Sequence, residues 1–150
     1  MASRSQKSKK PSAASSESLP DFTVFLDATF GRRTVASRLR DTGVTVEVHD
    51  DHFPPGTPDD EWLSVCGQND WIVISQDQKI RYRKNELAAA QDAGVRLFVL
   101  TAGSITGEEA GDIIVSALPG IQALGHKQPA PFVASVTRAG NVRVYETFSS

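Results

Sequence analysis

The sequence predicts an α/β protein with three layers, α/β/α, in which helices cover both faces of a mainly parallel central sheet and a pair of strands follows at the C-terminus. Short apolar runs alternate along the chain with segments whose apolar residues recur at helical spacing. The run WIVIS at 71–75 is almost wholly apolar, which is typical of a central strand that is covered on both faces. Strands that alternate with helices are joined by right-handed crossovers and therefore lie parallel.

The predicted elements follow this alternation in chain order. Gly43 stands where the first helix ends, and Thr106 begins the sequence TGEE, a capping box that predicts the start of a long helix. We expect Pro119 to begin a separate turn or short helix that reaches about Leu124. The predicted helices are 32–43, 59–67, 83–92 and 106–118, and the predicted strands are 22–27, 44–48, 71–75, 95–100, 132–138 and 142–148, the last two paired around the turn AGN.

Composition places the chain among globular proteins of one domain. Its 150 residues suffice for a hydrophobic core, and 39% of them are hydrophobic and 23% charged. No apolar run approaches the roughly 20 residues of a membrane span, and the N-terminus lacks a secretory signal, so we expect no membrane partner and a cytoplasmic location. Cys66 is the only cysteine, which excludes an internal disulfide and a cysteine-based zinc site.

The first 20 residues differ in composition from the rest. They are rich in Ser, Lys, Ala and Pro and basic, although the whole chain has a net charge of −2. Such a segment buries too little apolar surface to offset the entropy lost on ordering. We therefore predict a disordered basic tail at 1–20 and one folded domain at 21–150.

Carboxylates follow two of the predicted strands at the same edge of the sheet. Asp27 ends the first strand, and Asp77 lies two residues past the third. The helix that begins at Asp59 starts near this edge and adds Asp60 and Glu61. Ligands of open α/β sheets bind at the carboxyl ends of the strands. Converging carboxylates repel one another, and a hard divalent cation with oxygen ligands, Mg²⁺ or Mn²⁺, relieves that repulsion.

Basic residues surround this predicted site in the sequence. After Asp77 come Lys79, Arg81, Arg83 and Lys84, with Tyr82 among them as a residue that could stack on a base. Arg32 and Arg33 open the first helix against its dipole, a cost of roughly 0.3–1 kcal/mol that suggests contact with substrate phosphate or pairing with an acid, the alternative being a solvent-exposed pair. We expect Lys79, Arg81 and Arg32 to position a phosphate backbone. The alternative is that Asp77 caps the next helix and these cations form a solvated face.

Taken in order, four stretches resemble the PIN-like domain superfamily: FLDATFGRRTV, HDDHFPPGTPDDEWL, WIVISQDQKIRYR and FVLTAGSITGEE. The resemblance is greatest to VapC-type toxin relatives with a Mut7-C-like layout, and it covers about 22–137. Each motif alone is weakly specific, whereas their order and spacing together are more so.

The resemblance implies a PIN-like nuclease domain with a set of acidic metal ligands. In this sequence those ligands are Asp27, Asp59 or Glu61, and Asp77, with Asn85 or Glu86 as a fourth member outside any clear motif. The implied activity is Mg²⁺- or Mn²⁺-dependent hydrolysis of RNA by an activated water. The implied biology is the toxin of a type II toxin–antitoxin pair, inhibited by a cognate antitoxin protein. Whether the protein forms a homodimer stays open.

Three alternatives remain at this stage. A PIN-like domain can act without catalysis, as a module that binds RNA or protein. The run FVLTAG resembles a phosphoacceptor receiver domain, although Leu26 precedes Asp27 where a receiver has a second acid. A zinc site at His49 and His52 is a third alternative, but no further ligand lies nearby at metal-binding spacing.

Overall fold

The computed structural model describes residues 22–30, 33–77 and 84–147, so the predicted tail at 1–20 lies outside the described residues. The strands within these ranges are β1 Thr23–Leu26, β2 Thr45–Val48, β3 Ile72–Ser75, β4 Arg96–Leu100, β5 Phe132–Val136 and β6 Val142–Thr147. The helices are α1 Thr34–Arg40, α2 His49–His52, α3 Asp59–Gln68, α4 Lys84–Ala93 and α5 Gly107–Lys127, and a 3₁₀ turn occupies Ala28–Phe30.

The strands form one sheet in the order β2-β1-β3-β4-β5-β6. Each of the first five strands pairs in parallel with its neighbours, and β6 pairs antiparallel with β5, with an irregularity between Val133 and Ala134. The predicted α/β class, the mainly parallel sheet and the C-terminal strand pair are confirmed. Parallel strands must be joined by crossover connections, here through helices, whereas the antiparallel pair β5 and β6 needs only a tight turn.

Helices pack on both faces of the sheet around two hydrophobic clusters. Alternate residues of β1 point to opposite faces, so Val24 and Leu26 join one cluster and Phe25 joins the other. The first cluster lies between the sheet and helices α1 and α5, and the second between the sheet and helices α3 and α4. All four residues of β3 are buried, which confirms its predicted central place.

Helix α5 differs from the prediction because it continues through Pro119. Thr106 and Glu109 form the predicted capping box at its start. Proline inside a helix removes a hydrogen bond and costs about 3 kcal/mol. Buried residues on both sides of it, among them Leu118 and Ile121, keep the helix on the sheet despite that cost. Although α5 has 21 residues, no helix in the described ranges is long and apolar enough to cross a bilayer.

A second difference is the one-turn helix α2, in a segment for which the sequence predicts a loop. It starts directly after β2, and its first residue, His49, is buried against the rings of Phe25, Phe53 and Trp62. Four residues are too few for a helical period to show in the sequence. Burial of one aromatic ring in the second cluster therefore accounts for this turn.

Helices α3 and α4 are in close contact at Gly67. A Cβ atom at this position would lie 1.9 Å from the carbonyl oxygen of Ala93 and 3.3 Å from its Cβ. Backbone atoms cannot turn aside as a flexible side chain does. The absence of a side chain at Gly67 therefore sets the distance between the two helices on this face.

We expect Gly67→Ala to lower the free energy of unfolding by about 1–3 kcal/mol, because overpacking against backbone outweighs the better helix propensity of alanine. Urea denaturation followed by circular dichroism measures the change. Gly120→Ala in α5 is the matched control, since its Cβ would meet only the Val142 side chain, 3.2 Å away. Equal stability of the two variants would contradict this explanation.

Candidate active site

The strand order reverses direction between β1 and β3, and this reversal defines the crevice where open α/β sheets bind ligands. The chain leaves β1 after Leu26, which pairs with Ile74 of β3. Asp27 follows directly, and its backbone N–H still donates to the Ile74 carbonyl at 3.2 Å. Asp77 comes two residues after the end of β3. Two carboxylates therefore follow the two strands that flank the reversal.

Asp27 is buried, with 5% of its surface exposed, and its carboxylate is held by local hydrogen bonds. The Thr29 backbone N–H donates to Asp27 Oδ1 at 3.0 Å, and the Thr29 hydroxyl donates to the same oxygen. The 3₁₀ turn at Ala28–Phe30 brings Thr29 back over the end of β1, since the Phe30 N–H donates to the Asp27 carbonyl at 3.2 Å. The turn thus orients the carboxylate before any ligand binds.

The hydroxyl of Ser75 connects the two acids. Ser75 is fully buried, its side chain hydrogen-bonds the Asp27 carboxylate, and its oxygen accepts from the Asp77 N–H at 3.0 Å. The Gln76 N–H donates to the Thr29 hydroxyl oxygen, also at 3.0 Å. The loops that follow β1 and β3 are therefore bonded to each other at two points around Asp27.

Burial raises the pKa of Asp27 above its ordinary value of 3.8. Hydrogen bonds from Ser75 and Thr29 oppose this rise because they stabilise the charged carboxylate, while the negative charge of Asp77 adds to it. Asp77 is the weakest of these influences, and the contact that links it to Asp27 is the Ser75 hydroxyl, to which its backbone N–H donates a hydrogen bond. A cation beside them would offset both the lost hydration and the mutual repulsion.

The donor set fits Mg²⁺ or Mn²⁺. These ions take one or two carboxylates, keep several waters and bind substrate phosphates with their remaining positions. Asp27 and half-buried Asp77 supply two such carboxylates. Across the described ranges, no group of three or more His, Cys, Asp or Glu side chains is arranged to hold a metal ion. Within these ranges, no further acidic, histidine or cysteine side chain therefore joins Asp27 and Asp77 as a metal ligand.

Asp59 and Glu61 begin α3, as predicted, but they do not complete such a group with Asp27 and Asp77. The Asp59 carboxylate accepts a hydrogen bond from the Trp62 indole N–H at 2.9 Å. Glu61 and Asp60 are exposed. The indole bond fixes Asp59 within its own helix, so the metal role of Asp59 and Glu61 stays a prediction.

Most of the predicted phosphate contacts lie outside the described residues, namely Arg32, Lys79 and Arg81, together with Tyr82 and Arg83. Lys84 is exposed at the start of α4, next to exposed Asn85 and half-buried Glu86. Arg33 is exposed and precedes α1, which begins at Thr34, two residues later than the predicted start at residue 32. Their contact with substrate phosphate stays a prediction.

The two histidines considered for zinc have other partners. His49 is 5% exposed and packs edge-on against Phe25 and Trp62. His52 Nε2 lies 2.7 Å from Glu47 Oε1, and its ring lies near Trp71. Aromatic packing and polar contacts with Asp50 and Glu47 therefore account for these side chains. Cys66 is buried as expected, and burial raises the pKa of its thiol.

Thr29 and Ser75 are the site residues that the sequence analysis missed. Each leaves only a weak signal in the sequence: Ser75 is the one polar residue at the end of an apolar strand, and Thr29 stands two residues after Asp27. Threonine at that spacing commonly bonds an aspartate locally. The bonds that Ser75 and Gln76 make to the loop after β1 join residues nearly 50 positions apart, and local sequence patterns cannot predict such bonds.

We expect Asp27→Asn to stabilise the protein at neutral pH. The folded state binds a proton at Asp27 more readily than the unfolded state, so ionised Asp27 lowers stability as the pH rises from 3.8 through the folded pKa. The free energy of unfolding of the variant should therefore exceed that of the wild type above this window, with the difference vanishing near pH 4. Urea denaturation over pH 4–8 in a metal chelator measures it. Asp92→Asn, an exposed residue of α4, is the control, and a difference that grows toward low pH would contradict the sign.

We also expect Ser75→Ala to raise the pKa of Asp27 further, because it removes a hydrogen bond that stabilises the carboxylate. Titration of the Asp27 carboxyl ¹³C chemical shift in a chelator gives this pKa directly. Ser64→Ala in α3 is the matched serine control. An unchanged or lower pKa in the Ser75 variant would show that its hydroxyl does not stabilise the charge.

Comparison of the chain with protein-family models gives a match. A family model described as PIN like domain matches residues 22–102, more than half of the chain, and the match contains Asp27, Asp59, Glu61 and Asp77. No curated protein and no solved structure matches the chain. Receiver domains share the order of the first five strands, so strand order alone does not separate the two classes, whereas the family match does. The chain therefore belongs to the PIN-like domain family, a family of nuclease-type modules.

Proposed function

We propose that the protein is an endoribonuclease that depends on Mg²⁺ or Mn²⁺ and uses Asp27 and Asp77 as its central metal ligands. The observation that carries the proposal is the buried Asp27 carboxylate at the strand reversal of a PIN-like domain, where Ser75 links it to the backbone of Asp77. An ionisable group that is buried near a like charge lowers stability unless a ligand compensates for it. Such a group at the ligand-binding edge of a sheet indicates function.

The residues around Asp27 would hold its carboxylate ready for the ion. Thr29 and Ser75 keep the carboxylate oriented, so little reorganisation is needed on binding. When bound, a divalent ion activates water and stabilises the leaving oxygen in phosphodiester hydrolysis. Asp59 and Glu61 are further candidate ligands on α3, and Lys79, Arg81 and Arg32 would position the RNA backbone.

The biological part of the proposal is that the protein is the toxin of a type II toxin–antitoxin pair in the cytoplasm. It rests on the resemblance to VapC-type toxins. The cognate antitoxin would inhibit the enzyme by covering the Asp27–Asp77 pair, and a basic side chain of the antitoxin would compensate the same charges as the cation. Co-purification with the product of the neighbouring reading frame tests this assignment.

A second candidate function is that of a PIN-like module that binds RNA or protein without cleaving it. One observation favours it: within the described ranges, no third acidic side chain joins Asp27 and Asp77. Two carboxylates can hold one ion, whereas a two-ion phosphoryl-transfer site needs more ligands. Cation binding without RNA cleavage would identify this alternative.

Cleavage of single-stranded RNA in Mg²⁺ or Mn²⁺, with a chelator as the blank, tests the nuclease. We expect Asp27→Asn and Asp77→Asn each to lower kcat by on the order of 10²-fold or more, the effect of removing a group that stabilises transition-state charge. Asp92→Asn should retain the wild-type rate. Cleavage that persists in the chelator, or in the Asp27 variant, would contradict the proposal.

Thermal unfolding with added Mn²⁺ or Mg²⁺ separates binding from catalysis. A ligand at about 100 times its Kd stabilises the folded state by about 2.7 kcal/mol. We expect the cation to raise the Tm of the wild-type protein and to leave that of Asp27→Asn nearly unchanged. Stabilisation without cleavage would favour the binding module, and the absence of both would exclude a metal site at this edge.

A further inference from the structure

A cavity of about 290 Å³ opens at the amino-terminal edge of the sheet, opposite the edge that carries Asp27. Thr23, Ile72 and Arg96, the first residues of β1, β3 and β4, form part of its wall, and the last turns of α5 form another. Thr23 precedes Asp27 by four positions along the strand direction, which places the two edges about 13 Å apart. The cavity is therefore distinct from the candidate active site.

Gln122 of α5 lines this cavity and contains an unsatisfied polar atom. The residue is 5% exposed, and its side-chain Oε1 is buried with no hydrogen-bond partner in the described part of the chain. A buried acceptor without a partner costs about 1–3 kcal/mol. The terminal torsion of glutamine is broad, so the oxygen can turn toward the cavity at little cost. A ligand that donates a hydrogen bond would recover the lost interaction.

Two charged residues of the cavity, Arg96 and Asp70, pair with each other. The guanidinium of Arg96 donates to Asp70 Oδ1 at 2.8 Å, to the Asp70 carbonyl at 3.1 Å and to the Gly125 carbonyl at 3.4 Å. Asp70 has a positive φ of 59°, a conformation rare outside glycine, and this conformation is compatible with the ion pair. Because Asp70 neutralises Arg96, this guanidinium favours a neutral polar ligand over a free anion, and His126 is the other titratable side chain of the wall.

The remaining wall combines apolar and amide side chains. Half-buried Phe22, which also packs against the first cluster, lines it together with Ile72 and with Asn69, which carries a second carboxamide. The volume lies at the low end for small-molecule sites. A glutamine amide pairs with two adjacent groups of a nucleobase, as it does with the amino N–H and ring nitrogen of adenine. Aromatic rings stack on bases of any sequence.

We propose that this cavity binds one nucleobase, recognised by the Gln122 carboxamide and stacked on Phe22. The base could come from a free nucleoside or from an unpaired residue of an RNA strand, since the recognised edge is the same. The inference does not depend on the nuclease proposal, because it uses no residue of the Asp27–Asp77 site.

Isothermal titration of the full-length protein with adenosine and with purine riboside tests the recognition. Purine riboside has the same ring system but lacks the amino group that would donate to Gln122. We expect adenosine to bind about tenfold more tightly or better, the equivalent of one recovered hydrogen bond. Equal affinities, or no binding of adenosine, cytidine, guanosine or uridine, would overturn the proposal.

Two variants locate the binding. Gln122→Leu should abolish the difference between adenosine and purine riboside without loss of thermal stability, because it also removes the unpaired oxygen. Gln91→Leu, the same change at an exposed residue of α4, should bind as the wild type does. Phe22→Leu should weaken both nucleosides about equally. Unchanged discrimination in Gln122→Leu would overturn the assignment.

Further measurements identify the source of the base and distinguish this cavity from the Asp27–Asp77 site. A tetra-adenylate that binds much more tightly than adenosine indicates RNA as the source, whereas similar affinities indicate a free nucleoside. Asp27→Asn should bind adenosine normally, and nucleoside-induced amide shifts should centre on Ile72 and Gly125. Shifts centred on Asp27 and Asp77 instead would overturn a separate site, whatever the outcome of the cleavage assay.

Discussion

The carboxylate of Asp27 is removed from water at the point where β1 and β3 diverge, and the adjoining loops are organised around that burial. Without compensation, a buried negative charge destabilises a fold. Hydrogen bonds from Thr29 and Ser75 supply part of the compensation, and the nearby charge of Asp77 works against it. The cost of burying the charge exceeds what these hydrogen bonds return, as the raised pKa of Asp27 indicates. This excess cost is the physical reason for expecting a cation.

The same bonds make the two loops one structural unit. Ser75 and Thr29 each contact the Asp27 carboxylate, and each accepts a backbone N–H from the loop after β3. A change in one loop therefore alters the orientation of the carboxylate as well as its solvation. The layers beneath support this arrangement, because Phe25, buried next to Leu26, stacks on Trp62 and Trp71 and anchors the end of β1 in the second cluster. Rigid packing below and cross-loop bonding above leave Asp27 little freedom.

Parallel strands give the sheet two chemically different edges. At the carboxyl edge the chain presents acids, and at the amino edge it presents amides and an ion pair around a cavity. Helix α5 spans the distance between them, from the loop after β4 to the cavity that contains Gln122. Its continuity through Pro119 matters here, because a break at that residue would free the turn that carries Gln122. Proline normally ends or kinks a helix, but burial of Ile121 and Gln122 beyond Pro119 keeps α5 continuous.

The sequence by itself determined the fold class, the strand positions and the placement of Asp27 and Asp77 at one edge. These features depend on local periodicity and on chain direction, and both can be read from neighbouring residues in the sequence. Tertiary structure alone decided the continuation of α5, the one-turn helix α2, the role of Ser75 and the unpaired oxygen of Gln122. Most of these features depend on burial or on contacts between segments that are distant in the sequence. Such contacts form only when the chain packs, so local sequence patterns do not predict them.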